Sequence, residues 1–307
     1  MKYLNIGDTL RFFRTKLKLS QKEMTPEFID ASAYSRIESN SRSIKIDELQ
    51  SIFKKTGINS NEFFRFFDLD DEQTNFKELY FYCGSHLENN SKKKKLLDYY
   101  EKLKNTEHKN AAQLSNYVAI KNYFASRWEE VEEISQAEAD DIFNDLMNRS
   151  FYLQHDYILI SNIVRLFSAK QIDLIVPRII PIPFEKDRNI DTKRYAYNTL
   201  INIISLKLYA MDHDGAAKYI KLAKKQNKLE TDYNFKLNLQ YLNNLLQYLT
   251  TGEMVYIERV HDFIHILEDI GEDMHAEQVK KEVKILTLDK DSVKMMSSYD
   301  VGLFKKN

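Results

Sequence analysis

The chain has 307 residues, of which 43% are hydrophobic, enough for a sizeable buried core and about two domains. Only seven glycines and four prolines occur, far below average usage, which favours an all-α protein and argues against sheets or barrels. The formal net charge of −1 argues against a nucleic-acid-binding protein unless its charges are unevenly distributed along the chain.

The sequence also predicts where in the cell the protein is located. No stretch approaches 18 uncharged apolar residues, and the first residues do not form a signal peptide, so we expect a cytoplasmic protein without membrane contact. The single cysteine, Cys83, excludes an internal disulfide framework and fits a reducing environment.

The first chemically informative segment spans residues 20–38. Ser20 and Glu23 have the spacing of a capping box, which predicts the start of a helix. Asp30 can cap the next helix, whose apolar side carries Tyr34 and Ile37. The opposite face holds small and hydrogen-bonding side chains: Ala31, Ser32, Ser35 and Arg36. A helix that enters a DNA major groove needs such a face; an ordinary helical hairpin is the alternative.

The flanking segments extend this pattern to five helices over about residues 1–66. By order and spacing, this segment resembles the phage-repressor (XRE-type) helix-turn-helix family, including Leu-Ser-Gln-x-Glu at 19–23 and Ser-Arg-Ile-Glu at 35–38. The resemblance implies that Ala31, Ser32 and Arg36 face the bases. It also implies that Gln21 holds a phosphate and that Arg42 holds the DNA backbone.

Two further residues match structural positions of that family. The resemblance implies that Arg14 and Glu38 form a salt bridge inside the domain. Asn40 stands near a turn where the family usually has glycine, and asparagine tolerates the left-handed conformation such a turn needs. Residues 1–66 contain 12 Lys and Arg against 8 Asp and Glu, while the rest contains 33 against 38. A modestly basic head (residues 1–66) on an acidic body (the rest of the chain) suits a protein that contacts phosphate with one end only. Such a protein should need to be a dimer to hold DNA well.

Beyond about residue 70 the sequence predicts helix after helix. Helix starts are expected near Gln73, Ser91, Asn110, Ser135, Tyr157, Gln171, Asp191, Asp214, Asp232, Glu253 and Asp273. The spacing predicts helix pairs every 40 residues or so, the period of an α-solenoid of tetratricopeptide-like hairpins. Pro177, Pro181 and Pro183 are expected to interrupt this pattern. The predicted domains are a head at 1–66, a linker helix at 67–90, a repeat domain at 91–290 and a tail at 291–307.

Asparagines recur four residues apart on the predicted helices, so each pair shares one helix face. An amide side chain can bind a peptide backbone as donor and acceptor, and a nearby arginine can bind a carboxylate. The candidate peptide-binding residues are Asn148, Arg149, Asn162, Arg165, Asn198, Asn202, Asn234 and Asn238. Solvated polar faces are the alternative.

A helix-turn-helix head on a helical repeat body resembles the Rgg/MutR family of regulators. The head carries the specific motifs, and the body resembles the family by architecture. Membership would imply a cytoplasmic homodimer that binds double-stranded promoter DNA and responds to a short imported peptide in the repeat groove. Some members crosslink the dimer through a cysteine just before the fourth helix; Ile46 stands there in this chain.

The sequence also allows two other functions for the body. The body could be a protein-interaction scaffold, or a dimerisation domain without a ligand. Val279, Val283 and Leu286 would form an apolar stripe that a partner subunit could cover. No motif of an enzyme, a metal site or a cofactor site stands out, so we expect no catalytic residues, no metal and no cofactor.

Overall fold

The computed structural model describes residues 5–67, 71–226 and 232–288. These residues form sixteen α-helices and two short 3-10 turns, which confirms the all-α prediction. The chain divides into two compact units between Tyr82 and Cys83. This division falls inside the predicted linker segment, while the predicted tail at 291–307 lies outside the described residues.

The first unit contains the helices of the predicted head. They are α1 (Ile6–Lys16), α2 (Gln21–Met24), α3 (Ala31–Glu38), α4 (Ile46–Thr56) and α5 (Ser60–Phe66), followed by α6 (Asp71–Ser85), which runs into the second unit. A core of eleven buried residues, including Leu10, Tyr34 and Ile52, holds α1 to α5 together. The head therefore has a hydrophobic core of its own.

In the head, the sequence signals for helix ends form the expected hydrogen bonds and turns. The Ser20 hydroxyl accepts a hydrogen bond from the backbone N–H of Glu23 at 3.2 Å, and the Glu23 carboxylate accepts one from the N–H of Ser20 at 2.7 Å. Gly57 ends α4 with a φ of 74°, a left-handed conformation that glycine adopts at low cost. Asn40 adopts a φ of 58° in the turn after α3, so the left-handed conformation forms without glycine.

The second unit is a succession of helical hairpins. Its helices are α7 (Asn90–Lys104), α8 (Ala111–Phe124), α9 (Gln136–Asn148), α10 (Gln154–Ile163), α11 (Ala169–Ile179), α12 (Ile190–Tyr209), α13 (His213–Gln226), α14 (Tyr233–Thr251), α15 (Met254–Asp269) and α16 (Asp273–Thr287). Every predicted helix start lies within three residues of an observed one. The capping boxes at Asn110, Ser135 and Ser168 explain part of this agreement, because each fixes one helix start.

Alternate helices of the second unit pack side by side. Helix α10 packs on α8, α12 on α10, α14 on α12 and α16 on α14. We call these five helices the even row. Helices α13 and α15 lie against its members, as expected for a solenoid of hairpins.

Two expectations about this unit were wrong. Pro177 lies inside α11 and does not interrupt it. A proline removes one backbone donor there, and the buried face of Ile172, Ile175, Val176 and Ile179 keeps the helix packed. Val279, Val283 and Leu286 are buried within their own chain, so they do not form an exposed stripe. In the described ranges, no helix combines the length and apolar character needed to cross a bilayer.

Candidate functional site

Helix α3 presents the polar face that the sequence predicts. Asp30 caps it, since its Oδ1 accepts a hydrogen bond from the N–H of Ala33 at 2.7 Å. Tyr34 and Ile37 are buried on the inner side. The four outer residues are all exposed: Ala31, Ser32, Ser35 and Arg36. The face is therefore open to a groove-sized partner.

Arg36 is the free cation of this face. Its guanidinium group forms no hydrogen bond or ion pair with any residue that the structure describes. A free, exposed guanidinium on a capped helix can pair in bidentate fashion with the O6 and N7 atoms of guanine. The neighbouring small side chains allow the close approach that this contact needs.

Gln21 and Arg42, in contrast, are already engaged within the head. The Gln21 side-chain amide donates to Oε2 of Glu38 at 2.9 Å. The Arg42 guanidinium donates to Oε1 of Glu48 at 2.6 Å. Because the Gln21 side chain is engaged, the backbone N–H of Gln21, at the start of α2, is the group that could contact a phosphate. Arg42 would have to share its charge with Glu48 to contact DNA.

Glu38 anchors α3 to α1. Its carboxylate accepts hydrogen bonds from Arg14 at 2.5 and 3.1 Å, so the structure contains the expected salt bridge. Burial alone would raise the pKa of Glu38, but the hydrogen bonds from Arg14 and Gln21 outweigh it and lower that pKa. The carboxylate therefore stays charged and fixes α3 against α1.

The candidate peptide-binding residues fall into two groups. Asn148 and Arg149 lie at the end of α9, where Arg149 forms ion pairs with Asp145 and Asp156. Because Asp156 is in the first turn of α10 and Arg165 follows its last turn, about 15 Å of helix separates the two arginines. The structure thus does not bring Asn148 and Arg149 together with Arg165.

The other candidates lie on the even row or directly after one of its helices. Asn162 is in α10, Asn198 and Asn202 are in α12, and Asn234 and Asn238 are in α14. The Asn202 amide donates to the Ser161 carbonyl of α10 at 3.0 Å, which links two neighbouring helices. Asn238 donates to Oδ1 of Asn234 at 2.8 Å, so this pair partly satisfies itself. Asn198 is exposed at the surface of α12.

Arg165 is the unusual member of this group. It lies in the 3-10 turn Val164–Leu166, which packs against α12. Its Nε atom is buried and has no hydrogen-bond partner. Burial lowers the pKa of Arg165 to about 10, and the charge of Glu133 only partly offsets this effect. A half-buried guanidinium without an ion pair among the described residues is an incomplete site for an anion.

Sequence reasoning missed a second polar group on the even row. Glu282 of α16 accepts a hydrogen bond from the Tyr241 hydroxyl of α14 at 2.8 Å. It also accepts one from the Ser205 hydroxyl of α12. The only sequence signal was a glutamate that interrupts the apolar positions Val279 and Leu286 on one helix. Its partners lie 41 and 77 residues away, so they could not be read from local spacing.

Similar folds occur among solved structures. No protein-family model and no curated protein matches the chain. The PrgX/cCF10 complex is 18% identical, with a TM-score of 0.76 over 93% of each chain. The SHP pheromone receptor Rgg2 of Streptococcus dysgalactiae is 18% identical, with a TM-score of 0.74 over 92% of this chain and 100% of that one.

A third structure is described as a bacterial peptide pheromone/receptor complex with a mechanism of gene regulation. It is 18% identical, with a TM-score of 0.77 over 93% of this chain and 99% of the other. The chain has the fold of PrgX and Rgg2. The similarity covers 93% and 92% of this chain, so it extends over both units.

Proposed function

We propose that this protein is a cytoplasmic, sequence-specific transcription regulator whose repeat body senses a short peptide. The observation that carries the DNA-binding part is the exposed face of α3, with a free Arg36 among small side chains. The half-buried Arg165 beside the asparagines of the even row supports the peptide-binding part. The neighbours with this fold include pheromone receptors, which agrees with both parts.

The mechanism is a population shift between conformations of a homodimer. Two heads provide two recognition helices, which compensates for the few phosphate contacts that a charge of about +4 allows. A peptide that binds one conformation of the body more tightly favours that conformation and changes DNA affinity or polymerase contact. Ala31, Ser32, Ser35 and Arg36 read the bases in this proposal, while Gln21 and Arg42 contribute backbone contacts.

DNA binding is tested with Arg36→Ala. Duplexes enriched from a random 30-base-pair pool by the full-length protein serve as the probe. We expect R36A to weaken binding to the enriched sites by about ten- to a hundredfold, because one bidentate base contact is lost. Arg65→Ala removes the same charge from an exposed position on α5 and should change affinity little. Equal affinity of R36A and wild type for these sites would disprove the assignment of the recognition helix.

Peptide binding is tested with pools of random heptapeptides, whose retention by the full-length protein is measured by mass spectrometry. We expect wild type to retain peptides with a free carboxyl terminus or an acidic side chain, and Arg165→Gln to retain about tenfold less. R165Q removes a buried charge without an ion pair, so it should fold normally. Failure of wild type to retain any pool would contradict the sensing function and leave DNA binding intact.

A further inference from the structure

Glu282 is a half-buried acid that the proposed function does not yet use. It reaches from α16 to two other helices of the even row, through the hydroxyls of Ser205 and Tyr241. The residue as a whole is not fully covered, so part of it remains open to solvent. Hydroxyl groups satisfy one lone pair on each carboxylate oxygen and leave the others available.

No cation balances this carboxylate among the described residues. Burial raises the pKa of Glu282, and the hydrogen bonds from Ser205 and Tyr241 only partly oppose the rise. A hydrophobic or amide side chain would stabilise the fold better at this position, since charges are costly to bury without a counter-ion. The Glu282 carboxylate is therefore placed as charged ligand-binding groups commonly are, because a bound ligand would supply its counter-ion.

Glu282 and Arg165 both lie near α12, since Ser205 of α12 donates to Glu282 and the turn that holds Arg165 packs against α12. Ser161 accepts the hydrogen bond from Asn202, and Arg165 follows Ser161 by one helical turn. Ser205 follows Asn202 by nearly one turn on α12. Because alternate helices of a hairpin array run parallel, this step has the same direction as the step from Ser161 to Arg165. Arg165 and the Ser205–Glu282 hydrogen bond thus lie at a similar level along α12, about one turn beyond Asn202.

We propose that Glu282, with the hydroxyls of Ser205 and Tyr241, binds an ammonium group of the peptide whose carboxylate is bound by Arg165. The two groups give the site a polarity, so the peptide binds in one direction along the even row. This inference rests on the proposed peptide-sensing function and specifies the chemistry of its ligand.

The experiment uses heptapeptide pools that lack lysine and arginine, prepared with a free or an acetylated amino terminus. Full-length wild type should retain the free pool about tenfold better than the acetylated pool, because a charge-assisted hydrogen bond is lost. Glu282→Gln keeps the shape of the side chain and one acceptor oxygen but removes the charge, so it should retain both pools equally. Glu277→Gln, an exposed position on the same helix, is the matched control and should behave like wild type.

A third pool identifies the source of the ammonium group. It is acetylated at the amino terminus and contains one lysine per peptide. Preferential retention of this pool over the lysine-free acetylated pool by wild type, and not by E282Q, supports the same site with a lysine side chain as its ligand. Unchanged discrimination in E282Q, or no preference of wild type for any amine-bearing pool, would overturn the proposal. If wild type retains no peptide at all, the sensing function fails together with this subsite.

Discussion

Glu38 accepts three hydrogen bonds from side chains inside the head, two from Arg14 and one from Gln21. Only 2% of its side chain is exposed, against 18% for Arg14. The carboxylate thus holds α3 in place from behind while Arg36 points outward. A change at Glu38 therefore acts on the stability and orientation of α3 and leaves its exposed face unaltered.

We expect Glu38→Gln to destabilise the head by about 2 kcal/mol, less than for a fully buried pair because Arg14 is partly exposed. Urea denaturation followed by far-UV circular dichroism measures this loss. The single tryptophan, Trp128, lies in the body, so its fluorescence should not change. Glu62→Gln, an exposed position on α5, is the control. Since the pKa of Glu38 is lowered in the fold, the gap between E38Q and wild type should close as pH falls below about 4.5.

Glu282 predicts the opposite pH dependence. Its pKa is raised in the fold, so its contribution to stability falls as pH rises from the ordinary glutamate value through the raised one. We expect E282Q to melt at the same temperature as wild type or higher at pH 8, and the difference to vanish near pH 4. Trp128 fluorescence during thermal unfolding reports on the body directly. A lower melting temperature of E282Q at pH 8 would show that the ionised carboxylate stabilises the fold.

At the scale of the elements, side-chain caps decide where the short helices begin. Helix α2 has only four residues, too few to form without support from its ends and from packing. Ser20 and Glu23 satisfy two backbone donors at its start. The same device recurs at Asn110, Ser135 and Ser168 in the body.

We expect Ser20→Ala to destabilise the head by about 1 kcal/mol, because an N–H at the start of α2 loses its partner. Ser51→Ala is the matched control, since the Ser51 hydroxyl only donates to the Asp47 carbonyl within α4. Urea denaturation monitored by circular dichroism compares the two variants. Equal midpoints for S20A and S51A would contradict a structural role for the capping box.

Element starts were predictable because their signals are local. A serine or asparagine followed three residues later by glutamate or glutamine is visible in the sequence, as at Ser135 and Glu138. Pro177 misled the prediction because packing of the buried isoleucines of α11 outweighs one lost backbone hydrogen bond. The engagement of Gln21 with Glu38 and the cluster around Glu282 depend on residues distant in the chain, so spacing could not reveal them.

At the scale of the whole molecule, the head and the body are separate compact units with α6 running between them. The head has its own buried core and carries the proposed DNA-reading face. The body carries the proposed ligand site. In this proposal, truncation of the chain should therefore separate DNA recognition from dimer formation.

A fragment of residues 1–85 should fold but bind the enriched DNA sites at least tenfold more weakly than the full chain, since it loses the second head of the dimer. Sedimentation should show a monomeric fragment and a dimeric full chain. DNA binding by the fragment should also depend less steeply on salt concentration than binding by the full chain, because the fragment contacts fewer phosphates. Equal affinity and salt dependence for both proteins would contradict a dimer held by the body.

The charges of Arg165 and Glu282, which form no ion pair among the described residues, also affect how long the protein persists in the cell. A ligand that binds the folded chain and not the unfolded one stabilises it by about 2.7 kcal/mol at a hundred times its Kd. Proteases remove chains in proportion to how often they open, so such a gain lowers the rate of degradation. Under the proposed sensing function, the amount of the protein would then rise with its peptide, and a cell without the peptide would contain less of the protein as well as a different conformation of it.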